Sequence, residues 1–277
     1  MYWETAPGAQ KPSYLEVCLE TIKSHLDDEF LLHELDEETA LGWLPDCSPV
    51  TWQRLGTPAR RSDYARVRLV ERYGGTWIDA DSILMMPLRE FTEPLAVHSV
   101  VSGAPFTTGL FAAQANAPLI REWRIAQDEV LASSGDWETL PWGALTAGTA
   151  LGADKLRGFV DHQEYYGFPQ ERIVPVPWYE WRRFLSRFQP PAAIMKSSPI
   201  SICLFNNAMG DILANTSKAE ILDGGMLLSR VLRLALGIST LSEETKLSMR
   251  LSPLSSLRFT RAGRRLEDGL RSALSRS

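Results

Sequence analysis

Between Ala59 and Leu88 the chain reads ARRSDYARVRLVERYGGTWIDADSILMMPL, and this stretch limits the fold more than any other. Thr57-Pro58 supplies an N-cap followed by proline at the first helical position. Tyr64, Val67 and Val70 give the helix an apolar face, and Gly74-Gly75 stops it where a left-handed residue is needed. Thr76-Trp77-Ile78 is rich in β-formers and runs into Asp79-Ala80-Asp81. Two carboxylates on the loop leaving a buried strand suit a hard divalent cation, which takes oxygen ligands and is completed by substrate phosphates. A phosphorylated small molecule is the ligand this implies. Asp63 and Arg66 lie three apart and share a helix face, so Asp63, Arg66, Asp79 and Asp81 are expected to converge. Acids that accept from hydroxyls and a forked guanidinium suit a sugar nucleotide.

The flanks read as α/β. Helical spacing predicts a helix over Tyr14–Leu26 with Ser13 as N-cap, and Asp36 or Thr39 can cap a short helix over Glu37–Trp43. Glu29–Leu35 reads as a buried strand, and Leu95–Ala113 as further strand broken at Gly103–Pro105. Pro118–Leu131 is a helix, and Leu145–Leu156 a short one weakened by Gly148 and Gly152. The Pro- and aromatic-rich Pro169–Pro191 reads as a strand leading into a surface loop, and Ile200–Phe205 as a strand ending at Asn206-Asn207.

Charge is unevenly spread. Of 29 Lys+Arg and 34 Asp+Glu, ten and four lie in 226–277, a net of +6, leaving 19 and 30 in 1–225, a net of −11. A catalytic domain over 1–225 and a basic, Leu/Ser/Arg-rich helical extension over 226–277 follow, the extension ordered only in part. Its arginines, Arg230, Arg233, Arg258, Arg261, Arg264 and Arg265, suit either a solvated helix face or peripheral contact with an anionic membrane. The three cysteines have no metal-type spacing and argue for a reducing compartment. The N-terminus shows no secretory pattern and no window reaches a membrane span, so a cytoplasmic protein, possible at the inner membrane face, is expected, with no nucleic-acid partner.

The pattern Ser-Asp, an Arg three later, Tyr-Gly-Gly, an aromatic and Asp-x-Asp resembles the signature of the DxD-containing sugar-binding-region glycosyltransferases and the related capsular polysaccharide synthesis proteins. The resemblance extends more weakly from Met1 to Phe205. It implies a GT-A-like, Rossmann-related mixed sheet flanked by helices, and transfer of a sugar, with retention, from a nucleotide-sugar donor such as a UDP-sugar to a saccharide or lipid-linked acceptor. It further implies that Asp81 ligates Mn²⁺ or Mg²⁺ directly, that Asp79 binds ribose and metal, and that Asp63 and Arg66 hold donor-sugar hydroxyls. Trp3 stands where relatives contact the base, and the Tyr73-Gly74-Gly75 turn counts with the donor site. Thr108 replaces a frequent Asn. Where relatives carry a metal-binding His before Leu-aromatic-Asn, this chain has Cys203-Leu204-Phe205-Asn206, which makes Cys203 and Asn206 the candidates for a third ligand.

Plainer readings stand beside these. Asp63 and Arg66 alone make a surface ion pair, Asp79 and Asp81 alone cap a turn, and Trp142, Trp178 and Trp181 pack as readily as they stack on sugars. The main alternative function is a non-catalytic carbohydrate-binding or assembly protein on a transferase fold, favoured by the missing histidine; a phosphohydrolase of the haloacid-dehalogenase type fits less well, because there the acid pair follows the domain's first strand.

Overall fold

Short apolar runs of the sequence become strands, of which Ser82–Leu84 and Leu110–Ala113 are buried along their whole length. The structure, a computed structural model, describes residues 1–5, 10–141, 143–161 and 164–247. Four strands, β1 (Gly75–Ile78), β3 (Val100–Ala104), β4 (Leu110–Ala113) and β5 (Tyr165–Pro169), form one mixed sheet in the order β1-β4-β3-β5. The first two pairings are antiparallel and β3–β5 is parallel. A separate antiparallel pair joins β2 (Ser82–Leu84) to β6 (Ser201–Cys203).

Alternation along the strands separates two cores. Ile78, Leu110, Ala112, Val101 and Phe168 face one, while Trp77, Phe111, Ala113, Val100 and Tyr165 face the other. Helices α1 (Ser13–Ser24), α2 (Glu37–Trp43), α3 (Pro49–Arg54), α4 (Pro58–Tyr73), α5 (Leu88–Thr92) and α6 (Pro118–Ser133) precede β5 together with α7 (Ala147–Ala150) and α8 (Ala153–Asp161). After it come α9 (Gln170–Ile173), a 3-10 helix (Trp178–Leu185), α10 (Ala192–Met195), α11 (Asn206–Leu213), α12 (Lys218–Asp223) and α13 (Leu227–Ala235). The second core is closed by α3, α4 and α6 through Trp52, Val67 and Trp123. The first is closed by α1, α5 and α13 through Leu15, Phe91 and Leu232. The fold is thus mixed α/β, a mixed sheet flanked by helices. No helix among the described residues is long and apolar enough to cross a membrane.

The local signals near the organising stretch are realised. Thr57 Oγ1 accepts from Arg60 N at 3.3 Å, and Gly74 ends α4 with φ +69°. A Cβ on Gly74 would come within 2.9 Å of Ala115 N, so this glycine serves a close backbone approach as well as its φ. Asp36 and Thr39 act together as a reciprocal cap on α2.

Several expectations are corrected. The strand over Glu29–Leu35 is absent: Leu31 is 80% exposed, and only Leu35 bridges, to Tyr2, because no longer neighbouring strand is available to complete a ladder. The helix over Leu145–Leu156 is split into α7 and α8 at Gly152, φ +79°. Pro169–Pro191 holds the 3-10 helix instead of a strand, started by Pro177 and anchored by the fully buried Phe184. A break after Gly225 does not separate two packing units. Leu227, Leu228, Val231 and Leu232 of α13 belong to the first core, and the two arginines that made this segment look surface-bound turn to partners within the protein. Arg230 donates to the Gln189 carbonyl at 2.8 Å, and Arg233 pairs with Glu244 at 2.7 Å. These two are therefore not presented to a membrane; Arg258, Arg261, Arg264, Arg265, Trp142 and His162 lie outside the described residues.

Leu232→Ala is expected to destabilise the protein by about 2–5 kcal/mol in urea unfolding, the cost of a core truncation. A chain ended at Gly225 should fail to fold cooperatively, and a native-like transition there would show that α13 is dispensable.

Candidate functional site

Helix α4 presents Asp63 and Arg66 to the C-terminal end of β1, where Asp79 and Asp81 leave the sheet. Arg66 is buried and holds the cluster together. Its Nη2 lies 3.1 Å from Asp63 Oδ1 and 3.3 Å from Asp79 Oδ1, its Nη1 donates to the Thr108 carbonyl at 2.7 Å, and its Nε faces the Ser62 carbonyl at 3.3 Å. Ser62 Oγ takes a further bond at 3.1 Å, and the guanidinium lies 5.3 Å from the Trp77 ring centre. The guanidinium is thus committed to protein partners, and it orients acids and a turn rather than offering a free fork to sugar hydroxyls.

Asp79 is held from three sides. Trp77 Nε1 donates to its Oδ1 at 2.7 Å, its backbone N–H donates to the Gly109 carbonyl at 2.8 Å, and a Cβ on Gly109 would sit 2.9 Å from its Oδ2. Only glycine lets the 105–109 turn approach so closely. Asp81 is pinned by the other sheet: Asn206 N donates to its Oδ2 at 2.7 Å and Leu204 N to its carbonyl at 3.0 Å. Phe205 adopts a left-handed conformation, φ +56°, to turn Asn206 and the start of α11 onto that carboxylate. Tyr14 from α1 donates to Asn206 Oδ1.

Three carboxylates thus surround one guanidinium. Burial pushes Asp63 up to about 6, a rise that Arg66 opposes and Asp79 adds to. Burial and then the charge of Asp79 push Asp81 up to about 6, against the bond from Asn206 and the charge of Arg66. Burial is also the main cause of the raised Tyr14 and Cys203 values, with Asp81 adding to both.

The structure therefore brings together Asp63, Arg66, Asp79 and Asp81, with Thr108 through its carbonyl and Asn206 through its N–H. The other expected members differ in their placement. Tyr73, Gly74 and Gly75 stand at the opposite end of β1 from Asp79, ~13 Å away at ~3.3 Å per residue. Tyr73 there donates to the Trp43 carbonyl at 3.1 Å, so this turn shapes the fold and is not part of the acid cluster. Trp3 is half-buried, donates its backbone N–H to the Leu35 carbonyl at 2.9 Å and packs on the first core, and the Met1 amino group two residues earlier feels the charges of Asp79 and Arg66. Cys203 lies opposite Ser82 in the β2–β6 pair, where burial first and then the charges of Asp81 and Asp79 push its thiol up. Asn206 spends its side-chain oxygen on Tyr14. Tyr14 and Gly109 were not singled out as site residues from the sequence; the one available signal was a glycine directly before the apolar run of β4.

Among the described residues no group of three or more His, Cys, Asp or Glu could hold a metal ion by itself. Asp79 and Asp81 fit a Mg²⁺-type site, in which one or two carboxylates are supplemented by substrate oxygens and water. No family model matches the chain, and no curated protein or solved structure matches it.

Arg66→Leu is expected to cost roughly 3–5 kcal/mol in urea unfolding, because it leaves buried carboxylates uncompensated. In metal-free protein, the raised Asp63 binds its proton more tightly folded than unfolded, where its value is ~3.9. Its contribution is present below pH ~4 and is lost as pH rises through about 6, on the order of 3 kcal/mol. Asp63→Asn should flatten that decline in a pH series of unfolding curves; an unchanged slope would show that Asp63 does not titrate in this window.

Proposed function

We propose that the chain is a metal-dependent glycosyltransferase of GT-A-like fold that moves a sugar from a nucleotide-sugar donor, in the first place a UDP-sugar, to a saccharide or lipid-linked acceptor in polysaccharide or capsule synthesis. One observation carries the reading: the half-buried cluster of Asp63, Asp79 and Asp81 has a single guanidinium among its members, and that guanidinium is buried and spent within the protein. Such a cluster attracts a divalent cation, and a cation held by only two acids is completed by a diphosphate. The resemblance of Ser62–Leu88 to the DxD transferases supplies the reaction class.

In this reading Asp79 and Asp81 hold Mn²⁺ or Mg²⁺, which when bound stabilises negative charge on the departing diphosphate. Arg66 fixes Asp79 and the Thr108 turn, so that Asp79 meets the donor without reorganising. Asn206 keeps Asp81 oriented from the opposite side. Asp63, whose Oδ1 faces Arg66, is placed to accept a donor-sugar hydroxyl. A second reading, a non-catalytic carbohydrate-binding or assembly protein, is favoured by the saturation of Arg66. It is distinguished by glycan binding without nucleotide-dependent metal affinity.

With Mn²⁺ present, UDP-, GDP- and dTDP-sugars are to be compared by thermal shift and donor hydrolysis, and a UDP-sugar is expected to raise the melting temperature most. Asp81→Asn should lower transfer and donor hydrolysis by roughly 10²–10³-fold or more while the protein stays folded. Full activity of that variant in chelator would overturn the assignment.

A further inference from the structure

Away from the acid cluster, a second stretch of the acidic body is basic. Residues 172–196 carry Arg172, Arg182, Arg183, Arg187 and Lys196 against one acid, Glu180, a net of +4. The rest of 1–225 holds 14 basic and 29 acidic residues, a net of −15. The same segment exposes large aromatics: Trp178 is 69%, Tyr179 66% and Phe188 54% exposed. Arg182, Arg187 and Lys196 are exposed in the same segment, and Arg183 pairs with Glu180 at 2.7 Å.

The display is rigidly supported from beneath. Phe184 is fully buried, and Arg230 of α13 donates to the carbonyls of Arg187 and Gln189 at 3.1 and 2.8 Å, while Leu227 N donates to that of Ser186 at 2.7 Å. Arg182 lies 4.6 Å from the Trp181 ring centre. The Trp178 and Tyr179 rings meet edge to face, 6.1 Å apart at 83°, and so form no flat platform of the kind a sugar ring stacks upon. Exposed Trp and Tyr interleaved with arginine are the pattern of a bilayer interface, where amphipathic rings enter the headgroup region and cations meet anionic lipid.

We propose that residues 178–188 form a peripheral docking surface for an anionic lipid bilayer, with Trp178, Tyr179 and Phe188 entering the interface and Arg182 and Arg187 contacting headgroup phosphates. This surface belongs to the described residues. It does not depend on the proposed transferase activity, because lipid binding is read without any nucleotide sugar.

The full chain is to be sedimented with vesicles of phosphatidylcholine alone and of phosphatidylcholine mixed with phosphatidylglycerol. Binding to the mixed vesicles, weakened by salt, is expected. Trp178→Ala/Tyr179→Ala and Arg182→Gln/Arg187→Gln should each lower the partition coefficient about tenfold with unchanged melting temperature. In wild type, lipids brominated near the headgroup should quench a tryptophan signal that is lost in Trp178→Phe. Three results would overturn the proposal: no binding of the wild type to anionic vesicles, variants that bind as tightly as wild type, or aromatic variants whose only loss is binding of a soluble glycan in the absence of vesicles.

Discussion

A guanidinium buried against Trp77 is tolerable only if nearly every one of its donors finds a partner, and the centre of this structure is organised by that demand. Arg66 draws one carboxylate from its own helix, one from the strand that follows, and a carbonyl from the turn before β4. Charge that has left water costs several kcal/mol unless paired in good geometry. Helix α4, the end of β1 and the 105–109 turn therefore assemble together or not at all. Gly109 makes the last of these contacts possible, since any side chain there would collide with Asp79.

Pairing stops short of neutrality. With Asp63, Asp79 and Asp81 around one arginine, the cluster resists full ionisation, and burial raises two of its members to about 6. Asp81 is kept in place by a second device, a left-handed Phe205 that aims the Asn206 N–H and the first turn of α11 at its carboxylate. Backbone in sparsely populated conformations is found where a site must be held against its own repulsion. Two sheets thus contribute one acid each to a shared locus, and the protein alone leaves part of their mutual repulsion in place.

Arg230 solves the same desolvation problem differently. Among the described residues it makes no ion pair; its Nη2 donates to the carbonyls of Ser186, Arg187 and Gln189, tying an irregular Pro-rich segment to α13, while its Nη1 finds no partner there. The basic character of α13 in the sequence is consequently interior bracing. The exposed basic and aromatic character of the described body resides instead in the segment that Arg230 supports.

The sequence by itself determined the local units. The Thr57-Pro58 cap, the apolar stripe of α4, the Gly74 stop and the short strand into Asp79 are set by interactions within a few residues, and the i,i+3 spacing placed Asp63 beside Arg66. The mixed α/β class was legible for the same reason, from apolar runs separated by amphipathic helices. What only the tertiary structure decided depends on partners far along the chain. Tyr73-Gly74-Gly75 is adjacent to the acids in sequence yet sits across a strand from them, because an extended strand carries its two ends apart. Glu29–Leu35 had a strand's composition but found only Tyr2 to pair with. Arg66 looked available for a ligand until Thr108, 42 residues on, took its donor, and Arg230 looked solvent-facing until loop carbonyls more than 40 residues earlier enclosed it. Local sequence dictates which groups are charged and which helix face they share; the folded contacts decide which charges are already spent.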